Sequence, residues 1–171
     1  TVTGASSAFH ILDLQAPLTM KNVVATTTVT GSAVHVVAAS AAVTTLSIMG
    51  GSFTGLITGI HLPAFDAATT VTITDVTAEA STTLQALRFD GTVAGPVIIS
   101  GGTYTQNTAS MVAIYFAAAV TGAVSISHAT CSSSGTALYF LNLQAPLVVT
   151  NVIATAAAAG NGLQIGTATA A

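Results

Sequence analysis

Two short patterns of apolar and polar positions recur along this chain, each without internal gaps. The first is small–apolar–polar–apolar, at Ala8–Ile11, Ala33–Val36, Gly59–Leu62, Ala86–Phe89, Ala113–Phe116, Ala137–Phe140 and Gly162–Ile165. The second is apolar–x–apolar–x followed by a turn-forming residue, at Leu18–Asn22, Leu46–Gly50, Val71–Asp75, Val97–Gly101, Val124–His128 and Leu147–Asn151. Both alternate with period two, the signature of a strand with one buried face. The second pattern recurs after 28, 25, 26, 27 and 23 residues, a period of about 26. Leu12–Thr26 (LDLQAPLTMKNVVAT) and Leu141–Thr155 (LNLQAPLVVTNVIAT) are nearly identical and lie 129 residues apart, which marks a super-repeat of five periods. Ala, Gly, Thr, Ser and Asn fill the intervals, and no stretch carries a capped 3.6-residue period, so no helix is predicted.

One such period cannot bury its apolar face alone. Stacking successive periods as coils buries a continuous core and pairs each strand with the coils above and below. The predicted fold is therefore all-β: a parallel β-helix (β-solenoid) of six to seven coils, stacked at about 4.8 Å into a rod roughly 30 Å long. Parallel crossovers are overwhelmingly right-handed, and a coil of this length differs from the shorter hexapeptide coil of left-handed β-helices, so a right-handed form is expected. Phe9, Val34, Ile60, Leu87, Ile114, Leu138 and Leu163 should point inward, as should Ile11, Val36, Leu62, Phe89, Phe116, Phe140 and Ile165. Asn22, Gly50, Asp75, Gly101, His128 and Asn151 form a turn column of residues that mostly tolerate positive φ. Cys131 aligns with Ala25, Phe53, Ala78, Tyr104 and Ala154, which predicts a buried thiol rather than a reactive one.

Composition narrows what such a rod can do. Of 171 residues, 51% are apolar and only 4% charged, which argues against disorder. Two basic residues, Lys21 and Arg88, cannot make a nucleic-acid footprint. The longest apolar run, Met111–Val120, is about half what a membrane-spanning helix needs. A lone cysteine offers neither a disulfide framework nor a Cys-based metal site. Thr1–His10 (TVTGASSAFH) restates Thr28–Val37 (TVTGSAVHVV), so residues 1–171 are expected to be one segment of a longer repeat protein, cut through its coil pattern at both ends.

The strand-plus-turn units VTITDV at Val71–Val76, LTMKNV at Leu18–Val23 and LVVTNV at Leu147–Val152 resemble those of the right-handed parallel β-helix (pectate-lyase-like) superfamily. That resemblance spans nearly the whole chain. The superfamily includes pectate-lyase-like enzymes, phage tailspikes, autotransporter passenger domains and long surface adhesins. Its enzymes imply clustered Asp residues for calcium and an Arg or Lys base. Here Asp13, Asp66, Asp75 and Asp90 fall in different columns, and Arg88 with Asp90 is expected to be a surface ion pair. The low charge and Thr/Ser/Ala richness are similar to the adhesin and fibre members.

The most distinctive outward column is His10, His35, His61, Arg88, Tyr115, Tyr139 and Gln164, a candidate surface ladder for a ligand such as a sugar. Imidazole is a normal zinc ligand, but no carboxylate or thiol falls in that column, so stacked rings are expected rather than a metal centre. An ice-binding surface would need regular Thr-x-Thr pairs. On the second pattern Thr72/Thr74 is such a pair, but the aligned Thr19/Lys21, Ser47/Met49 and Ile98/Ser100 are not. No Asn-x-Ser/Thr sequon occurs.

The expectation is a structural or adhesive segment of an extracellular fibre or cell-surface protein. It would have no catalytic residue, cofactor or metal, and would be continued by further coils or self-association. The alternative is a carbohydrate-active β-helix domain whose catalytic residues lie outside this segment.

Overall fold

The computed structural model describes residues 1–108, 111–157 and 160–168. Every strand pair in it is parallel, and the chain winds through about seven turns of a β-solenoid with no helix among the described residues. The first pattern forms one seven-stranded sheet, from Phe9–Ile11 at one end to Leu163–Ala168 at the other. Its register joins Phe9 to Val34, Val34 to Ile60, Ile60 to Leu87, Leu87 to Ile114, Ile114 to Leu138 and Leu138 to Leu163. The second pattern stacks in the expected register from Leu18 to Leu147.

The period holds a third strand that alternation alone did not reveal. Ala25, Phe53, Ala78, Tyr104, Cys131 and Ala154 pair in one column on strands such as Thr77–Ala80, Thr103–Gln106 and Thr130–Ser133. Large and small side chains alternate along its first four members, so each ring lies over an alanine and the stack fills without crowding. In two coils the second and third strands run on as one, Leu18–Thr27 and Thr45–Gly55. In the later coils the corner interrupts them.

That corner is the turn column, and it shows why those residues are there. Asn22, Gly50, Asp75, Gly101, His128 and Asn151 all have φ between 51° and 69°. Only glycine and short polar residues visit this region at little cost. The polar members also lean over the next coil: a Cβ added to Gly50 would meet Oδ1 of Asn22, and one added to Gly101 would meet Oδ1 of Asp75. Polar residue and glycine thus complement each other between coils. Backbone bonds cross the corner unbroken, as in Asp75 N–H to Ser100 O at 2.8 Å and Gly101 N–H to Ser127 O at 2.8 Å. Pro17, Pro96 and Pro146 stand immediately before second strands, where their missing N–H removes no ladder bond within the strand.

The inward ladders form one continuous core. Ile60, Leu87, Ile73, Ile99 and Ile126 in the middle coils are fully buried, and Phe89, Phe116 and Phe140 stack at 4.5 and 4.6 Å. Burying one such side chain contributes about 1.5–3 kcal/mol, whereas an outward cross-strand pair adds about 0.2–1 kcal/mol. The inward faces therefore set the register, and the outward ladders follow it.

One expected alignment is corrected. Thr1–Gly4 does not stack on Thr28–Gly31: Val2 pairs with Ala25 and Gly4 with Thr27. Val2 takes the third-strand position over Ala25, while Val29 sits in the following bend at 61% exposure, its N–H donating to Ala5 O. The shared letters TVTG therefore serve two different places in the coil.

Two substitutions test this packing. The Tyr104 hydroxyl is fully buried with no hydrogen-bond partner. Because an unsatisfied buried hydroxyl costs about 1–3 kcal/mol, Tyr104→Phe should raise the urea midpoint; a drop would show that the hydroxyl is satisfied. Gly101→Ala should lower stability by about 1–2 kcal/mol from its left-handed backbone. The Asp75 carboxylate can swing aside, so steric overlap adds little, and an unchanged midpoint would mean that the corner relaxes.

Candidate functional site

The outward side chains of the first sheet form the predicted column. His10, His35, His61, Arg88, Tyr115, Tyr139 and Gln164 are register partners at the centre of successive strands. Inward neighbours on either side of each residue anchor its strand, which leaves the intervening side chain to stand outward over its counterpart. His10 and His35 stack at 5.2 Å and 22°, and His35 and His61 at 4.4 Å and 3°. Arg88 lies over the Tyr115 ring at 5.5 Å, and Tyr115 stacks on Tyr139 at 5.3 Å. Gln164 ends the column, its Oε1 accepting from Thr136 Oγ1 at 3.1 Å and from Asn161 Nδ2 at 3.3 Å.

Asp90 completes this surface in a way the column alone did not indicate. One carboxylate oxygen accepts from Arg88 Nε and the other pairs with His61 Nε2, while Arg88 also donates to Gln85 Oε1 at 3.0 Å. The expected Arg88–Asp90 ion pair is present, and His61 joins it from the coil below. No carboxylate falls in the histidine column itself, but the Asp90 side chain reaches it from the column beside it. Asp90 stands two residues beyond Arg88, yet its side chain reaches back across the strand gap.

The stacking also decides what the ladder offers chemically. Ring nitrogen lone pairs lie in the ring plane, so rings parallel to within 3° point theirs side by side rather than at one ion. Among the described residues no three His, Cys, Asp or Glu side chains converge on a metal position. The ring faces are spent on one another, so a sugar could reach mainly their edges. What remains exposed is a line of ring nitrogens, a guanidinium edge and two phenol hydroxyls.

The titrating groups respond to this crowding. Burial lowers the pKa of His35, the neighbouring His61 and His10 lower it further, and Asp90 opposes them weakly. Burial alone would raise the Asp90 carboxyl, but the hydrogen bond and charge of His61, then those of Arg88, outweigh it and hold the group below its ordinary value. Cys131 is buried as expected, and burial pushes its thiol up to about 12, so it carries no nucleophilic thiolate near neutrality.

The remaining acids stay apart. Asp13 accepts from Gln15 at 2.6 Å and Glu79 from Asn107 at 2.7 Å. Asp75 borders an open hollow of about 390 Å3 with Lys21, Asn22, Met49, Gly50 and Thr74 at the turn column.

The third strand also has an outward face. One column there runs Thr3, Thr26, Thr54, Glu79, Thr105, Ser132, Thr155, and the column beside it Val24, Ser52, Thr77, Thr103, Thr130, Ile153. On the second strand regular Thr pairs are absent. Hydroxyl residues flank part of the inward Phe53, Tyr104 and Cys131 column, as Ser52/Thr54, Thr103/Thr105 and Thr130/Ser132, of which only the second is a Thr-x-Thr pair. No protein-family profile, curated protein or solved structure matches this chain.

The pKa directions give a pH dependence. His35 binds its proton more readily unfolded than folded, so its stabilising share is complete above 6.5 and is lost as pH falls through its lower folded value. Asp90 contributes stability above 3.8 that is lost on further acidification. The urea midpoint should therefore fall in two stages on acidification, and His35→Phe should flatten the first. A midpoint that rises as the imidazoles charge would contradict the ladder's geometry.

Proposed function

We propose that this chain is a structural or adhesive β-solenoid segment of an extracellular fibre or large cell-surface protein. The observation that carries this reading is that all cohesion runs along one axis. Backbone ladders, the core and the His–Arg–Tyr column each pass from coil to coil, while the sides hold almost no charge. A rod of this kind gains by adding coils and has little lateral repulsion to keep neighbours apart. The strand-plus-turn units support a likeness to the pectate-lyase-like superfamily, and the low charge and Thr/Ser/Ala richness support placing it near the adhesin and fibre members.

The uppermost coil supports the same reading. Val149, Leu163 and Ile165 are 40%, 44% and 38% exposed, although their partners one coil below, Ile126, Leu138 and Phe140, are at most 1% exposed. Apolar core and open strand edges presented together favour edge-to-edge addition. Further coils, from the same chain or from stacked copies, are the partner this surface suits, and the outward column on the sides is offered to glycans.

The test is the mass and shape of the native molecule by sedimentation and electron microscopy. Longer chains or filaments are expected, and a Leu163→Lys/Ile165→Lys double substitution should shorten any filament that stacks through this end. A stable soluble monomer of 16.8 kDa, with no filament and no longer precursor, would refute the fibre reading.

A further inference from the structure

The uppermost coil repeats one near the other end of the rod. At an offset of 129, residues 1–42 map onto residues 130–171 without a gap. The pairing keeps the same offset: Val2 pairs with Ala25 and Cys131 with Ala154, Phe9 with Val34 and Leu138 with Leu163, Leu14 with Ala39 and Leu143 with Ala168. The coil from Leu18 to Val36 thus has its counterpart from Leu147 to Ile165. The first of the two is covered. Leu46, Ile48, Gly51, Phe53 and Ile60 stand over Leu18, Met20, Val23, Ala25 and Val34. Met20, Val34 and Val36 are at most 6% exposed beneath them, whereas Val149, Leu163 and Ile165 stand open.

We infer that the uppermost coil is a docking surface for one kind of coil, with a Gly-Gly corner followed two residues later by an aromatic ring, as in residues 43–62. This rests on the reading of the chain as an extendable rod and names what extends it. Open strand edges can pair with any extended segment, so selection falls to the side chains. Two columns supply it. Each Asn or Asp corner with a coil above it carries a glycine pair there, Gly50-Gly51 over Asn22 and Gly101-Gly102 over Asp75. A Cβ on Gly50 would meet Asn22 Oδ1, and one on Gly51 the Val23 carbonyl oxygen. Asn151 and Val152 repeat this corner, with φ of 53° at Asn151 against 51° at Asn22. The contact of Asn151 Nδ2 with His128 Nε2 at 3.3 Å leaves Oδ1 uncommitted to the coil below. In the third-strand column each alanine with a coil above it carries a ring there, Phe53 over Ala25 and Tyr104 over Ala78. Ala154, half-buried, is the next alanine in that column. A side chain smaller than a ring would leave a void over it.

The experiment extends this chain after Ala171 with a copy of residues 43–62, which continues the offset. The comparison is an extension copied from residues 68–89, which has the same strand pattern but an Asp corner and an alanine in the third strand. Amide exchange in Leu147–Thr150 and Leu163–Ala168 should slow about tenfold or more under the first extension, because local opening must then break a covering coil. It should slow far less under the second. Within the appended copy, Gly50→Val should remove the protection and Phe53→Ala should remove part of it, with circular dichroism showing the rest of the chain still folded. A first extension that stays exchange-labile, or equal protection from both extensions, overturns the inference. The two readings fail separately: a native monomer of 16.8 kDa with a protected extension removes the fibre reading and not the fit, and a labile extension on a filamentous molecule does the reverse.

Discussion

A parallel strand has hydrogen-bonding groups along both edges, and here the coils above and below satisfy them. Almost every other feature follows from that requirement. The coil must return each strand to the same height on its column, so its length can vary only where slack is available, in the connecting bends. The spacing of paired residues varies between coils, yet Val71, Val97 and Val124 still stand directly over one another. The sharpest corner admits no slack, and its residues are confined to those that accept a left-handed backbone.

The same requirement explains what could be read without the structure. On the first two strands the inward residues are large and alternate with polar ones, so period and register were legible from Phe9 to Ile165. The third strand escaped because half of its inward column is alanine, at Ala25, Ala78 and Ala154, and alanine beside threonine makes little contrast. The His61–Asp90 contact escaped for another reason. Its partners lie 29 positions apart and in adjacent columns, and whether a carboxylate leans back to its neighbour is a matter of rotamer, which no spacing records.

The outward ladder shows how repetition limits chemistry as well as supporting structure. Successive coils carry the same kind of side chain in the same orientation, so rings become parallel neighbours. Parallel neighbours satisfy one another, and a site that needs groups aimed at a common point is hard to build from them. The exception, Asp90 with His61 and Arg88, arises where the column changes from imidazole to guanidinium and the repetition breaks.

That break has a consequence for the rod as a whole. Below it the outward column is imidazole and the inward column beside it is Ile11, Val36 and Leu62; above it the outward column is phenol and the inward one is the Phe89–Phe116–Phe140 stack. The two halves share a backbone plan but differ in chemistry, so the molecule is a vector. The imidazole stack whose central ring resists protonation lies on the first three coils of this face, so a rod loosened through it would open from that end.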